Sequence, residues 1–216
     1  MSKESKLLSV LVVTAATLVA GFIILFQFSS PKIYGNKIGS TGEVSRYVSR
    51  DIPMIDSNGS TRKLMDLKGK VWLVSHVFTR CPGQCAGVCV VLDEIRKDLV
   101  EGDNLHIVSV TLDPAHDTPK HLKDFSKKHG FVSDNWWFLT GDTDELNNYM
   151  LDVFSLAAQE KKESEKVSED DIFAHKPMVA LINHELKIEG WYNPFDKRSS
   201  EVLRDKLLFA LNEAKL

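Results

Sequence analysis

The strongest constraint on the fold is a regular alternation of strand-like and helix-like patterns from residue 71 onwards. Short runs rich in β-branched and aromatic residues predict strands. Segments with apolar residues three or four positions apart predict helices. The predicted strands are 71–78, 105–112, 136–139, 177–183 and 187–193, and the predicted helices are 91–100, 117–130, 142–154 and 199–214. Strands that alternate with helices favour parallel pairing through crossovers, and the last two strands predict an antiparallel hairpin. The sequence therefore predicts an α/β protein with a mixed central sheet.

Composition supports a packed domain and excludes one class of partner. Hydrophobic residues make up 43% and charged residues 26% of the chain, which is typical of a globular core. The net charge is −3, with both signs mixed along the chain. A nucleic-acid-binding domain needs a basic face, so we expect no nucleic-acid partner.

The N-terminal segment has the composition of a membrane anchor. Residues 7–28 carry no charged side chain, and a helix of that length spans about 30 Å of hydrocarbon. A cleaved signal peptide ranks second, because no small-residue cleavage site follows the segment. The sequence therefore predicts one transmembrane helix in residues 1–28, a linker in 29–43 and a folded domain in 44–216. A signal anchor in a bacterial cell membrane would place that domain on the extracytoplasmic, periplasmic side.

All three cysteines lie in one stretch, "HVFTRCPGQCAGVC", which follows the first predicted strand. With Pro82 at the first helical position, Cys81 is predicted near the N-cap and Cys85 one turn later on the same face. Backbone N–H groups at a helix start lower thiol pKa values, and Arg80 adds positive charge nearby. Two such sulfurs suit a soft ion such as Cu(I), or a disulfide. Two ligands do not complete a metal site, so a third must come from elsewhere in the chain.

Cys89 has a different setting, because it lies among apolar residues two turns into the predicted helix. We interpret it as a packed core residue. The alternatives are a resolving cysteine or a third sulfur in a Cys₃His zinc site. Cysteines at i, i+4 and i+8 of one helix spread over about 12 Å, which disfavours a single zinc ion.

Several segments, taken in order, resemble the SCO/SenC family of copper-binding assembly factors for cytochrome c oxidase. The matching stretches are "FTRCPGQC" (78–85), "VSVTLDPAHDTP" (108–119), "FLTGDTDEL" (138–146) and "FAHKPMVALIN" (173–183). The resemblance covers about residue 44 to the C-terminus, and the N-terminal anchor also fits. It implies a thioredoxin-like three-layer fold, with an insertion in the middle. It also implies a copper ion and, as partner, the copper-site subunit of the oxidase.

The resemblance also implies a ligand set. Carried over by motif, copper would be bound by Cys81, Cys85 and His175. Asp113 would orient the loops around the site, and Asp117 would help to start the following helix. The charged stretch 159–171 is predicted to be a solvated loop or a frayed helix end.

The chain departs from the family pattern at three positions. Ala86 replaces the usual proline after the second cysteine, and Ala174 replaces the aspartate that commonly precedes the distal histidine. Cys89 is an additional thiol. These departures change the surroundings of the predicted ligands and leave the ligand set intact.

A thiol–disulfide oxidoreductase on the same fold is the alternative function. The stretch "KPMVALIN" resembles the part of thioredoxin where a cis-proline begins the strand facing the active cysteines, so Pro177 is a candidate for that role. In this reading Cys81 attacks a client disulfide, Cys85 resolves it, and His175 is a bystander or a proton shuttle. The extra residue between the cysteines, relative to C-x-x-C, argues mildly against it. A metallochaperone without turnover ranks ahead of an enzyme.

Overall fold

The computed structural model describes residues 47–99 and 105–215. The predicted membrane anchor and linker lie outside the described residues. Within those two ranges, every helix is too short or too polar to cross a bilayer.

The described residues form nine strands and four α-helices. In chain order they are β1 (Met54–Asp56), β2 (Thr61–Arg62), β3 (Val71–Val77), α1 (Gln84–Leu99), β4 (Leu105–Thr111), α2 (Pro119–His129), β5 (Trp136–Thr140), α3 (Thr143–Phe154), β6 (Ala158–Glu160), β7 (Phe173–His175), β8 (Val179–Ile182), β9 (Ile188–Tyr192) and α4 (Lys197–Glu213). Two short 3₁₀ helices, Leu64–Leu67 and Glu163–Glu165, join strands.

Seven strands form one mixed sheet in the order β2-β1-β5-β4-β3-β8-β9. The central strands β3, β4 and β5 are parallel, whereas β1, β8 and β9 pair antiparallel with their neighbours. This arrangement confirms the predicted mixed α/β architecture. Strands β6 and β7 form a separate two-stranded sheet, which the sequence did not predict.

The two faces of the sheet bury different helices because side chains alternate along each strand. All seven residues of β3 are buried. Leu73 packs in the core that contains α1, α2 and α4, and Trp72 packs in the core that contains α3. The result is a three-layer domain in which β3 is central.

The helices predicted after β4 and β5 are confirmed, and each begins one or two residues later than predicted, directly after a capping residue. The side chain of Thr118 accepts a hydrogen bond from the backbone N–H of His121, and Pro119 is the first residue of α2. Gly130 ends that helix at φ +78°, a left-handed conformation that favours glycine. Asp142 caps α3 through the backbone N–H of Glu145.

Candidate metal centre

Cys81, predicted near the N-cap of the helix, lies in a turn between β3 and α1, three residues before the helix begins. The helix begins at Gln84, two residues later than predicted, because Gly83 adopts φ +142° and cannot continue a helix. The backbone N–H of Cys85 nevertheless points at the Cys81 sulfur, with an N–Sγ distance of 3.4 Å. The first turn of α1 therefore still supplies the N–H donors expected to favour a thiolate.

The two cysteines differ in ionisation. A hydrogen bond from the Cys85 side chain lowers the pKa of Cys81 to about 6, against the opposing effect of burial, and backbone N–H groups of residues 83–85 contribute. The same contact and burial raise the pKa of Cys85 well above its usual value. At neutral pH the half-buried Cys81 is therefore a thiolate, and the buried Cys85 is a thiol.

His175 ends β7 and brings an imidazole to this pair from ninety residues further along the chain. Its Nε2 atom is 3.6 Å from the Cys85 sulfur. Its Nδ1 atom is 3.3 Å from the carbonyl oxygen of Lys176, which can only accept a hydrogen bond. Nδ1 therefore carries the proton, and the Nε2 lone pair faces Cys85. Burial lowers the pKa of His175, which favours the neutral ring that a metal ligand needs.

The separation of 3.6 Å suits a shared metal ion. With zinc-like metal–sulfur and metal–nitrogen distances of about 2.3 and 2.0 Å, ligands at 120° lie about 3.7 Å apart. The sulfur of Cys81 is farther from His175 Nε2 than the sulfur of Cys85 is. Among the described residues, the one group of three potential ligands with atoms all within 4.8 Å of each other is Asp113, His116 and Asp117. Binding through Cys81, Cys85 and His175 therefore requires a small inward movement.

Aromatic contacts hold the hairpin that carries His175. The ring of Phe78, which follows β3, lies 5.4 Å from that of Phe173 and 6.2 Å from that of His175, both edge to face. On another side, the His76 ring lies 6.2 Å from His175. The hairpin is thus packed on the residues that lead into the cysteine turn.

Most of the charged stretch 159–171 is exposed loop, as predicted, but it is closed by specific contacts. It contains the end of β6 and a 3₁₀ helix, and the Lys161 ammonium contacts both oxygens of Asp171 at 2.7 Å. Asp171 also accepts a hydrogen bond from the backbone of Val167. This closed loop fixes the start of β7, and its Lys161 and Asp171 line a small cleft with Cys81 and His175.

Arg80 and Asp113 join the cysteine turn to the end of β4. The Arg80 guanidinium lies 2.6 Å from the Asp113 carboxylate and 3.6 Å from that of Asp170. This contact fits the predicted orienting role of Asp113. The positive charge of Arg80 was expected to act on Cys81, but it is balanced by two carboxylates and is not among the causes of the lowered Cys81 pKa.

The comparison with known families decides the relationship. The family model SCO1/SenC matches residues 43–208.

This chain belongs to the SCO1/SenC family.

Among curated SCO1/SenC relatives, the chain is 32% identical to the SCO1 protein homolog of Bacillus subtilis over 154 residues, which are 68% of this chain and 77% of the relative. The solved structure of BsSco, described as a cytochrome c oxidase assembly protein with a disulfide switch, superposes with a TM-score of 0.64 at 26% identity, covering 79% of this chain and 96% of that one. A copper-bound ScoI structure from Bradyrhizobium japonicum shares the fold at 21% identity, with a TM-score of 0.57 and coverage of 76% and 98%. These likenesses support the predicted thioredoxin-like fold.

Asp117, which the SCO1/SenC resemblance linked to the start of α2, has another role. Its carboxylate is fully buried and accepts hydrogen bonds from the backbone and hydroxyl of Thr79 and from the hydroxyl of Thr111. The N-cap of α2 is Thr118. Asp117 therefore anchors the residues just before Cys81, a role that sequence reasoning missed because Thr79 is 38 positions away.

Those hydrogen bonds also explain why the cluster of Asp113, His116 and Asp117 is a poor metal site. The Asp113 carboxylate already accepts hydrogen bonds from Arg80. The Asp117 carboxylate already contacts Thr79, Thr111 and His116. A cation there would have to displace Arg80 and the two threonines.

The prediction of a cis bond at Pro177 is wrong, because no peptide bond in the described residues is cis. The link from β7 to β8 is a tight turn, in which the N–H of Met178 donates to the carbonyl of Lys176 at 2.8 Å. A three-residue turn of this kind needs a central φ that proline provides in the trans form. Pro177 thus directs the chain away from His175 into the central sheet.

Cys89 lies on α1 and is completely buried in the core, and burial raises its pKa to about 12. A thiol held neutral among apolar side chains matches the packed-residue interpretation and does not suit a third sulfur ligand. Ala174 is exposed and Ala86 half-buried, so both departures from the family pattern lie at the rim of the site.

Proposed function

We propose that this protein is a copper chaperone that binds one copper ion through Cys81, Cys85 and His175 and delivers it to the copper site of cytochrome c oxidase. The observation that carries the proposal is the 3.6 Å separation between His175 Nε2 and Cys85 Sγ. A thiolate, a second cysteine sulfur that releases its proton to solvent when it binds the ion, and an imidazole with a bare lone pair form a donor set that suits copper. Membership of the SCO1/SenC family and the description of BsSco as an oxidase assembly protein support the client.

Copper is the cargo in this proposal, so the site has to release it. Cys81 is half-buried and His175 lies on a two-stranded hairpin outside the central sheet, which leaves one side of the site open to a partner. Cys85, in contrast, is buried at the start of α1 and forms the fixed floor.

We also propose that residues 1–28 anchor the chain in a bacterial cell membrane and that the domain acts on the periplasmic side. The uncharged segment 7–28 and the polar linker 29–43 motivate this placement. Fractionation of cells, with protease protection of the domain, tests it.

The test of copper binding is a competition titration of the full chain in detergent with a chromophoric Cu(I) chelator. His175→Ala and Cys85→Ser should each lower the Cu(I) affinity by about tenfold or more, the effect typical of weakening a metal site. His129→Ala, at an exposed position on α2, is the matched control and should leave the affinity unchanged. Equal affinity in wild type and His175→Ala would refute the three-ligand site.

Thiol–disulfide exchange is the second candidate function, and the ionisation of the cysteine pair favours it. An accessible thiolate at Cys81 followed by a buried thiol at Cys85 is the arrangement of an attacking and a resolving cysteine. The reduction potential of the pair and the rate of reduction of a model disulfide test it. If the protein reduced no model disulfide but still bound copper, thiol–disulfide exchange would be refuted and the copper chaperone function would be the one that remains.

A further inference from the structure

The outer face of α2 concentrates positive charge on a protein that is acidic as a whole. The helix Pro119–His129 contains four lysines and one carboxylate, although the net charge of the chain is −3. Leu122 and Phe125 are buried against the core on the inner side of the helix. The lysines are all exposed, and they are Lys120, Lys123, Lys127 and Lys128. Residues three or four positions apart share a helix face, so these lysines form one continuous surface, which we call the basic strip.

Most of the charge on the basic strip is not neutralised within the domain. The Lys120 ammonium lies 2.6 Å from the carboxylate of Asp124. Among the described residues, no carboxylate oxygen lies within 4.0 Å of the ammonium groups of Lys123, Lys127 or Lys128. Lys123 and Lys127 are four positions apart, and like charges at that spacing destabilise a helix. The strip therefore costs the isolated domain stability, and an oppositely charged partner would recover it.

The basic strip begins at the edge of the sheet that carries the proposed copper site. Helix α2 follows the loop in which Asp117 holds Thr79, two residues before Cys81. Lys120 is three residues beyond Asp117. A protein partner typically covers about 800 Å² of one surface, which corresponds to a disc of about 16 Å radius. A client that reaches Cys81 is therefore close enough to contact the first turn of α2 as well.

We propose that the basic strip is a docking surface for an acidic surface of the client protein, which it steers towards the open side of the copper site. This inference rests on the proposed copper chaperone function. Complementary charges raise the rate of encounter of two proteins by about 10- to 1000-fold and fix their relative orientation. The same lysines would attract anionic lipid headgroups. The client is the favoured occupant because the strip starts beside the residues that hand over the ion.

The test is stopped-flow transfer of Cu(I) from the full chain in neutral detergent to the apo, soluble copper-site domain of a bacterial cytochrome c oxidase. In Lys123→Glu/Lys127→Glu, the second-order rate constant should fall by about tenfold or more at low ionic strength, the scale of electrostatic steering. At about 1 M salt, where the Debye length is about 3 Å, wild type and variant should transfer copper at the same rate. The Cu(I) affinity should be unchanged, because neither lysine belongs to the copper site.

The matched control is Lys63→Glu/Lys68→Glu, which makes the same change in net charge. Both lysines are exposed and flank the 3₁₀ helix Leu64–Leu67. That helix precedes β3, whereas Cys81 follows it, so the control lies at the opposite edge of the sheet. This variant should transfer copper at the wild-type rate.

The outcomes separate the docking surface from the chaperone function. Equal rates in wild type and Lys123→Glu/Lys127→Glu at low salt would overturn the docking surface and leave the chaperone function standing. An equal fall in the control would also overturn it, since net charge alone would then explain the effect. Normal transfer by the variant, with loss of cross-links from α2 to lipid in phosphatidylglycerol nanodiscs, would assign the strip to the membrane instead. No transfer from wild type would overturn the proposed client itself.

Discussion

At the residue scale, the site holds two chemically identical side chains, Cys81 and Cys85, in different protonation states. Cys81 accepts hydrogen bonds from Cys85 and from the first turn of α1, whereas Cys85 is buried and donates. A thiolate is the form that binds a metal or attacks a disulfide. The pair can therefore begin either reaction at Cys81 without a separate base.

The reactivity of Cys81 should reveal this asymmetry. The rate of its alkylation by iodoacetamide, followed by mass spectrometry of the peptide, should reach half of its maximum near pH 6, where the lowered pKa lies. In Cys85→Ala the midpoint should move upward, because the main hydrogen bond to the thiolate is lost. A wild-type midpoint near the ordinary thiol value of about 8.5 would contradict the proposed ionisation.

His76 should make the domain sensitive to mild acid. Its pKa is lowered to about 4 in the folded protein by burial, against 6.5 for the free side chain, so the unfolded chain binds more protons between these values. Stability therefore rises with pH across that window and is lost as pH falls. The stabilisation lost by pH 5 is about 2 kcal/mol.

Urea unfolding of wild type and His76→Phe at pH 7 and pH 5 measures this effect. The free energy of unfolding of the variant should fall by about 2 kcal/mol less than that of wild type over this change. Equal losses of the free energy of unfolding in the two proteins would contradict a lowered pKa for His76.

At the element scale, the site is assembled from the carboxyl ends of β3 and β4 and from the β6–β7 hairpin. Asp117 and Asp113 follow β4 and hold Thr79 and Arg80, which follow β3. The two parallel strands place these loops side by side, which is where ligand sites form in α/β sheets. Only His175 comes from outside this edge.

Asp117→Asn tests whether the loop after β4 supports the cysteine turn. An amide offers one oxygen to the three donors of Thr79 and Thr111 and turns an N–H group towards the others, so the free energy of unfolding should fall by about 2 kcal/mol. Asp124→Asn, on the exposed face of α2, should leave it unchanged. Urea unfolding measures both variants. Equal effects on the free energy of unfolding would contradict the anchoring role of Asp117.

At the scale of the whole molecule, the sequence predicted the long elements and missed the short ones. Strands such as β3 and β4 are long enough to show a continuous β-branched pattern, whereas β1, β2, β6 and β7 have two or three residues and no measurable period. The start of α1 was misplaced because Pro82 suits a helix start, while the left-handed φ of Gly83 is visible only in three dimensions.

The site was predictable only in part for a related reason. The spacing of Cys81 and Cys85 indicated a reactive pair, but the choice of His175 came from resemblance, since no local pattern links positions ninety residues apart. The role of Asp117 depends on its contacts with Thr79 and Thr111 and had no signal in the sequence.

The account depends most directly on the atoms that surround the ion. X-ray absorption spectroscopy of the Cu(I)-loaded full chain should show two sulfur ligands at about 2.3 Å and one imidazole nitrogen at about 2.0 Å, taking zinc-like distances. In His175→Ala the nitrogen should disappear while the two sulfurs remain. A sulfur-only shell in wild type, or a nitrogen that persists in His175→Ala, would contradict the assignment of Cys81, Cys85 and His175 as the copper ligands.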